Sequence, residues 1–208
     1  GTFLFMCRRL IHLIFSALVL GLATGLAEGA DPNLAGWWRF NEGSGTTTYD
    51  SSGNGNDGTL VGGATWAAGR FGGGIKLDGT SGYVSIPSFK LTTNSITFAI
   101  WFNGWKGGNW APFISSRAVT ACEMKFGDND TLHYAWNNDS SATWNWRGGP
   151  VIPQDTWTML AVTINPTGAT AYVYTDAEGL KQGTNAIDHI EQTVGALRIG
   201  YSYAARYV

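Results

Sequence analysis

Residues 96–101 read ITFAIW and residues 157–164 read WTMLAVTI, and these two stretches decide the fold class. A period of two places Ile96, Phe98 and Ile100 on one face of a strand. The second stretch is apolar almost without interruption, which predicts a central strand covered on both faces. Neither stretch has the three- and four-residue spacing of an amphipathic helix, so both predict β-strands.

Similar alternation recurs along the rest of the chain, and Gly or Asn-Gly pairs interrupt it between short segments. Further strands are predicted at residues 37–40, 74–78, 83–86, 113–117, 123–126, 132–136, 142–146, 171–175 and 196–200. From residue 31 onward the sequence shows no linker, no charge block and no internal repeat. It therefore predicts one all-β domain, residues 31–208, in which two antiparallel sheets pack face to face.

Composition argues against two classes of protein. Lys and Arg number 13 against 15 Asp and Glu, a net charge of −2, and no run of basic residues could replace the counterions of a nucleic acid. With 44% hydrophobic residues and ten Trp, the chain can bury enough apolar surface to offset its conformational entropy. The sequence therefore predicts a folded protein with no nucleic-acid partner.

The N-terminal residues have the order of a secretory signal. Arg8 and Arg9 precede an apolar stretch, residues 10–22, and small residues follow it. The predicted signal peptide is residues 1–30, with Met6 as the true start. The alternative is an uncleaved membrane anchor, although the apolar run is shorter than the ~20 residues of a spanning helix. Export of the bacterial type predicts a secreted or cell-surface protein that has no membrane attachment after cleavage.

Cysteine and histidine usage favours neither a disulfide nor a zinc site. Cys7 falls in the predicted signal peptide, which leaves Cys122 alone in a disulfide-free domain. Cys122 has no nucleophile motif around it and is expected to be a buried thiol. His133 and His189 lie far apart and outside any Cys/His cluster, so each is expected to be a strand or turn residue with a local partner.

The loop at residues 50–58, DSSGNGNDG, has two interpretations. Asp50, Asn54 and Asn56 supply carboxylate and amide oxygens on a glycine-rich backbone, which suits a structural Ca²⁺. The spacing does not match an EF-hand loop. Asn-Gly and Asp-Gly pairs also form tight Asx-type turns without any metal, and the residues alone leave the two interpretations open.

The segment WKGGNW, residues 105–110, is the centre of the predicted ligand site. Trp105 and Trp110 lie in a stretch rich in Gly and Asn, where a ring face could stay open for a sugar. Asn103 and Asn109 could donate amide hydrogen bonds to sugar hydroxyls. Aromatic residues with a polar rim also occur at protein interfaces, so an extracellular protein ligand is the alternative.

Other tryptophans are expected in the core. Trp144 and Trp146, two residues apart, would share one strand face and fill the core, with a second open aromatic face as the alternative. Four more fall within or beside alternating strands and are expected to be core residues: Trp37, Trp66, Trp101 and Trp157.

Five segments carry a resemblance to a known family. They are residues 34–60 (LAGWWRFNEGSGTTTYDSSGNGNDGTL), 66–87 (WAAGRFGGGIKLDGTSGYVSIP), 95–104 (SITFAIWFNG), 155–179 (DTWTMLAVTINPTGATAYVYTDAEG) and 196–200 (ALRIG). Together they resemble the laminin-G-like jelly-roll family, within the concanavalin A-like lectin/glucanase fold. The first segment is the most specific, because its Trp-Arg-Phe strand, Glu-Gly-Ser-Gly turn and Asp-Ser-Ser-Gly-Asn-Gly-Asn loop rarely occur together.

The resemblance implies a two-sheet antiparallel jelly-roll sandwich in a secreted multidomain protein, with binding rather than catalysis as its role. In this family the loop that begins here at Asp50 often helps to hold calcium together with an acidic residue of the final strand, which favours the calcium interpretation. Family members normally end in a further strand with an Asp-Glu-Val or Asp-Asp-Val core followed by Arg-Ile-Tyr. The sequence stops at Tyr207 and Val208, so we expect that C-terminal strand to be missing.

Glycosidases of the same fold are the enzyme alternative. They use two carboxylates, ~5–5.5 Å apart in retaining enzymes, at alternate residues of one strand face. Their Glu-x-Asp-x-x-Glu signature is absent, and the nearest match, Asp128-Asn129-Asp130, predicts a hairpin turn.

The sequence therefore predicts a secreted, non-catalytic module that binds carbohydrate or extracellular matrix and surface ligands, as part of a larger protein with other domains. Two alternatives remain. One is a structural adhesion or spacer domain without a small ligand, and the other is a glycoside hydrolase domain.

Overall fold

The computed structural model describes residues 31–104, 110–117, 120–136, 141–202 and 206–207. The predicted signal peptide and two predicted ligand residues, Trp105 and Asn109, lie outside the described residues. From Leu34 onward the chain forms one compact unit. No helix in the described ranges is long and apolar enough to cross a membrane.

Short strands make up nearly all of the regular structure. They are β1 (Thr47–Thr48), β2 (Gly58–Val61), β3 (Thr65–Ala68), β4 (Gly73–Lys76), β5 (Tyr83–Ile86), β6 (Leu91–Thr93), β7 (Ile96–Phe102), β8 (Pro112–Ser116), β9 (Cys122–Phe126), β10 (Leu132–Trp136), β11 (Thr158–Asn165), β12 (Gly168–Thr175), β13 (Gly179–Asn185), β14 (Gln192–Val194), β15 (Leu197–Ile199), β16 (Tyr201–Ser202) and β17 (Arg206–Tyr207). A 3-10 turn (Asp128–Asp130) and a one-turn helix, α1 (Ser141–Trp144), complete the described elements.

Two antiparallel sheets form the sandwich. The larger sheet has seven strands in the order β1-β2-β5-β15-β8-β9-β10, and the smaller has four in the order β13-β12-β11-β7. Every pairing within them is antiparallel. This confirms the predicted all-β jelly-roll sandwich.

The core lies between the inner faces of the two sheets. Leu160, Val162 and Ile164 of β11 are buried and belong to one cluster with Met124 and Tyr134 of the larger sheet. Each apolar side chain buried in this way contributes ~1.5–3 kcal/mol to stability. The alternation of apolar residues along β11 therefore positions the two sheets against each other.

Strand β11 is central in its sheet, as predicted, but it is not covered on both faces. It pairs with β12 on one side and β7 on the other. Met159, Ala161 and Thr163 point away from the core and are only half-buried. The prediction of two covered faces is wrong because an apolar run does not reveal which of its alternate residues meets a second layer.

Most of the other predicted strands are confirmed within two or three residues of their bounds, but residues 37–40 form only a single bridge, between Trp38 and Asp50. The polar groups of this segment bond to the following loop instead. The backbone N–H of Trp37 donates to Asp50 Oδ1 over 2.9 Å, and Trp38 Nε1 donates to the carbonyl oxygen of Asn56 over 2.8 Å.

Residues 142–146 were predicted as a strand and instead lie in α1 and directly after it. The Oγ1 atom of Thr143 accepts a hydrogen bond from the backbone N–H of Trp136 (3.2 Å) and donates to its carbonyl oxygen (2.9 Å). Asn185 Nδ2 donates to the carbonyl oxygen of Ala142 over 2.9 Å. These contacts fold the segment back onto the end of β10, so it does not extend as a strand.

Two glycines then bring the chain across the open edge of the sandwich. A Cβ atom at Gly149 would overlap the carbonyl oxygen of Leu132 in β10. One at Gly183 in β13 would overlap the carbonyl oxygen of Gly148. Only glycine allows both approaches, and they fix the position of the preceding residues, Trp146 and Arg147.

Candidate functional site

Trp110 lies at the outer face of the larger sheet, next to β8. Its backbone φ of +69° is in the left-handed region, which is unusual for a residue other than glycine. Its half-buried ring is edge-on to His133, with ring centroids 5.6 Å apart. Lys125 Nζ lies 5.4 Å and Arg147 Cζ 5.3 Å from the ring centroid. We call Trp110, Lys125, His133, Trp146 and Arg147 the Trp110 cluster.

The register of β9 and β10 explains how two of these residues meet. Lys125 and His133 are direct partners across the two strands. Because side chains alternate between faces, Met124 and Tyr134 point into the core while Lys125 and His133 point to the outer face. Trp110 and Arg147 then cover this part of the face from the two flanking loops.

His133 is fully buried, and within the described part of the chain nothing hydrogen-bonds to either of its ring nitrogens. Burial, together with the positive charges of Arg147 and Lys125, lowers the pKa of His133 to about 4, although Asp128 acts in the opposite direction. The ring is therefore neutral near pH 7, with one donor and one acceptor unused. His133 is a strand residue, as expected, and its local partner in the described structure is the Trp110 ring rather than a hydrogen-bonding group.

His189 does have the expected local partners. One ring nitrogen is 2.9 Å from the hydroxyl of Tyr134 and the other is 3.0 Å from the carbonyl oxygen of Asn165. Asn185 Nδ2 donates to the same Tyr134 hydroxyl over 2.8 Å. The buried position expected for Cys122 is also confirmed.

Glu123 is buried on the same outer face, beside Lys125. Its Oε1 accepts hydrogen bonds from Arg117 Nε (2.7 Å) and Ser115 Oγ (2.9 Å), and its Oε2 from Arg117 Nη2 (3.1 Å) and Lys125 Nζ (3.2 Å). Burial alone would raise the pKa of the Glu123 carboxyl, but the bonds from Arg117 and the charge of Lys125 outweigh it and lower that pKa. Glu123 therefore stays ionised and holds Lys125 in place.

Arg147 is the most exposed cation of the Trp110 cluster, with 52% of its side chain accessible. It forms an ion pair with Asp128 in the β9–β10 turn and donates from Nη2 to Asn145 Oδ1 over 2.8 Å.

Trp146, the residue before Arg147, packs on Tyr134 with ring centroids 5.7 Å apart. Trp144 is 41% exposed, so the expectation that it shares a core face with Trp146 is wrong.

Asn103, the remaining predicted ligand residue, is exposed and directly follows β7. The carbonyl oxygen of the next residue, Gly104, accepts a hydrogen bond from the backbone N–H of Asp155 over 2.8 Å. In the part of the chain that the structure describes, no hydrogen bond or ring contact joins Asn103 to Trp110. The structure thus builds the Trp110 cluster from β9, β10 and the α1 segment rather than from the predicted asparagines.

A second aromatic surface was missed by the sequence analysis. Trp101 is edge-on to Phe71 (centroids 5.5 Å apart) and to Tyr174 (6.5 Å apart) on the outer face of the smaller sheet. Arg70 Cζ lies 5.6 Å from the Trp101 ring centroid and pairs with Asp176. We call these five residues the Trp101 surface. The period of two in residues 96–101 already places Trp101 opposite Phe98, and this signal could have identified the surface.

Four other tryptophans were expected in the core, and the structure confirms this for one of them. Trp66 packs, half-buried, against the core cluster. Trp37, Trp101 and Trp157 are half-buried and lie outside the described core cluster. Trp136, which was not considered as a core residue, is completely buried there.

The Asp50 loop is held by hydrogen bonds to the protein itself. Asp50 Oδ1 accepts from the backbone N–H groups of Trp37 and Ser52, each over 2.9 Å, and Oδ2 accepts from that of Asn56 over 3.0 Å. Burial would raise the pKa of Asp50, but the hydrogen bonds from Ser52 and from these backbone groups lower it. A carboxylate engaged in this way fits the Asx-type turn.

The two asparagines of the loop also act as donors. Asn54 Nδ2 donates to the carbonyl oxygen of Leu34 over 2.7 Å, and Asn56 Nδ2 to that of Ala35 over 3.2 Å. Among the described residues there is no group of three or more His, Cys, Asp or Glu side chains that could hold a metal ion. The geometry favours the turn, and calcium binding stays a prediction.

Comparisons with known proteins agree with this fold. The family model for the concanavalin A-like lectin/glucanases superfamily (Laminin_G_3) matches residues 78–208. No curated protein matches the chain. The chain is similar to domain 4 of AbnA, a GH43 extracellular arabinanase from Geobacillus stearothermophilus, solved with arabinotriose. That likeness has a TM-score of 0.54 and 20% identity over 74% of this chain and 78% of that one.

A second solved structure is the binding domain of Paraclostridial Mosquitocidal Protein 1. The TM-score is 0.53 at 12% identity, over 80% of this chain and 44% of that one. At such identities the likeness shows the fold. The family match is stronger evidence, because it covers more than half of the sequence and agrees with the observed sandwich. The chain therefore belongs to the concanavalin A-like lectin/glucanases superfamily.

Proposed function

We propose that this chain is an exported, non-catalytic module that binds carbohydrate through the Trp110 cluster and works as part of a larger protein. The observation that carries the proposal is the arrangement of Trp110: an aromatic ring at the outer face of the larger sheet, with Lys125 and Arg147 beside it. Aromatic rings flanked by fixed hydrogen-bond donors suit a sugar, which has apolar C–H faces and polar hydroxyls.

Two solved relatives support the proposal by analogy. The AbnA domain was solved with arabinotriose, and it is one domain of an extracellular arabinanase. The second relative is named as the binding domain of a larger protein. By this analogy we infer that the chain serves as a binding domain and that its ligand is a glycan.

The contacts of three carboxylates near the Trp110 cluster favour binding over catalysis. Glycosidases need two carboxylates that can exchange protons or attack the substrate. Glu123 is buried and held ionised by Arg117 and Lys125, so it is a poor proton donor. Asp128 pairs with Arg147, and Asp130 Oδ2 accepts from Gln154 Nε2 over 2.9 Å within the β9–β10 turn. These contacts favour structural roles for all three carboxylates.

A glycan array probed with the full chain tests the proposal. We expect binding with a dissociation constant of roughly micromolar to millimolar, as for a shallow site with one or two aromatic contacts. Trp110→Gly should lose most of the binding. Glycine suits the φ of +69°, so this variant removes the ring without adding backbone strain.

Phe71→Ala is the matched control, because Phe71 is 47% exposed on the Trp101 surface. It should retain binding and a wild-type melting curve. Binding lost in Phe71→Ala and kept in Trp110→Gly would move the site to the Trp101 surface. A full chain that binds no glycan would favour the spacer domain, and release of reducing sugar from a polysaccharide would favour a hydrolase.

A further inference from the structure

In the described structure, the ion pairs around Trp110 join three cations to two carboxylates. Arg147 pairs with Asp128, one carboxylate for one cation. Lys125 shares Glu123 with Arg117, so one buried carboxylate serves two cations. The whole chain carries a net charge of −2, so this local positive field is not part of a generally basic surface. A ligand with a negative group is the complementary partner.

Arg147 is the cation that such a ligand could contact. Its side chain is 52% exposed, whereas that of Lys125 is only 4% exposed. The guanidinium has five N–H donors, and Asp128 and Asn145 engage Nη1 and Nη2 without using all of them. A guanidinium fixed over an aromatic ring matches the planar geometry of a carboxylate or sulfate.

His133 is a second, independent observation at the same cluster. Its two ring nitrogens are buried without a hydrogen-bond partner in the described structure, an unfavourable position for polar groups. Trp110 lies directly against this ring, so the two residues belong to the same site.

The Trp101 surface provides the contrast. There Arg70 lies over the Trp101 ring and pairs with Asp176, which repeats the arrangement of Arg147, Trp110 and Asp128. Arg70 has no second cation among its described contacts, so its charge is matched by one carboxylate. The two surfaces share an aromatic ring and a paired arginine, and they differ in excess positive charge.

Taking carbohydrate binding at the Trp110 cluster as the basis, we propose that this site takes sugars that carry a carboxylate or sulfate group, and that Arg147 contacts that group. Lys125, held under Trp110 by Glu123, adds to the positive field without touching the ligand. The hydroxyls of the same sugar lie toward Trp110.

The test measures binding of the full chain by calorimetry to matched pairs of oligosaccharides. Oligogalacturonate and oligoalginate are compared with their methyl esters, and a chondroitin sulfate oligosaccharide with its desulfated form. We expect at least one acidic member to bind about tenfold or more tighter than its uncharged partner, as charge-assisted bonds require. This preference should weaken as NaCl rises from about 50 to about 500 mM, because salt screens an exposed charge.

Two variants test whether Arg147 is responsible for the preference for acidic sugars. Arg147→Gln should bind the acidic and uncharged members equally, while Arg70→Gln should keep the wild-type preference. Both should show wild-type melting curves, since each replaces a partly exposed side chain. Loss of the preference in Arg70→Gln, or its retention in Arg147→Gln, overturns the assignment.

The remaining outcomes separate this inference from the proposed function. Equal binding of acidic and uncharged sugars, abolished by Trp110→Gly, would overturn the inference and leave carbohydrate binding in place. A glycan array that finds only neutral ligands would likewise overturn the inference and leave carbohydrate binding in place. A chain that binds no glycan of either kind would overturn both.

Discussion

His133 and Lys125 are direct partners across β9 and β10, and both side chains are buried on the outer face of the larger sheet. A lysine beside an imidazole in a buried setting disfavours the protonated imidazole. This pair therefore couples the charge of the Trp110 cluster to pH, which gives the first prediction.

Folding should lose stability when the pH falls from 7 to 5. The pKa of His133 is about 4 in the folded chain, below its ordinary value of 6.5, so in this range the unfolded chain binds a proton that the folded chain does not. The proton bound by the unfolded chain then lowers the free energy of unfolding by about 2 kcal/mol at pH 5. Urea unfolding of the wild type and of His133→Phe at both pH values isolates this contribution, because Phe does not titrate.

The free energy of unfolding should change less with pH in His133→Phe than in the wild type. An NMR titration of the His133 ring provides the second readout, with a midpoint near pH 4. A midpoint near 6.5, or equal pH sensitivity in both proteins, would contradict the prediction.

Glu123→Gln should be strongly destabilising. It leaves the buried Lys125 and the half-buried Arg117 without their shared carboxylate, and breaking a buried ion pair in this way costs about 3–5 kcal/mol. Glu178→Gln is the control: Glu178 pairs with Lys181 at the surface, where an ion pair contributes about 0–1 kcal/mol. Chemical unfolding of both variants measures the difference. Equal losses would show that the Glu123 network is not a buried ion cluster.

Asp50→Ala should destabilise the chain by about 1–3 kcal/mol even in EDTA, because backbone N–H groups of Trp37, Ser52 and Asn56 lose their acceptor. The calcium prediction is tested in the same melting experiments. An ion that binds only the native state would add ~2.7 kcal/mol at a hundredfold excess over its Kd. A wild-type melting temperature that is identical in EDTA and in millimolar calcium would leave Asp50 as a turn residue alone.

The period of two was the most reliable signal in the sequence. It predicted β7, because strand geometry fixes which residues share a face. The same period places Trp101 on the outer face of β7, but its position within an alternating strand suggested the core. That expectation failed because Trp101 contacts Phe71, Tyr174 and Arg70 and lies outside the core cluster.

The Trp110 cluster was only partly predictable. Trp110 itself was identified from its Gly- and Asn-rich surroundings. Its neighbours come from β9, β10 and the segment after α1. Only the register of the sheet and the close approaches at Gly149 and Gly183 bring them together. Local patterns do not carry such long-range contacts, so the charges beside the ring and the unpartnered imidazole were invisible in the sequence.

The turn from β10 into α1 gives the last prediction. Thr143 is buried, and its hydroxyl both accepts from the backbone N–H and donates to the carbonyl oxygen of Trp136, the last residue of the edge strand β10. Thr143→Val keeps the shape but leaves both backbone groups without this partner, so we expect a loss of about 1–3 kcal/mol or more. Thr143→Ser keeps the hydroxyl and removes one methyl group, so its loss should stay near 1 kcal/mol.

Because α1 leads directly into Trp146 and Arg147, Thr143→Val should also weaken the preference for acidic sugars, and Thr143→Ser should not. Urea unfolding and calorimetry of the two variants measure these effects separately. If Thr143→Ser is as unstable as Thr143→Val, the methyl packing of this residue rather than its hydroxyl holds the turn. The fold-back of residues 142–146 would then need another cause than its hydrogen bonds to Trp136.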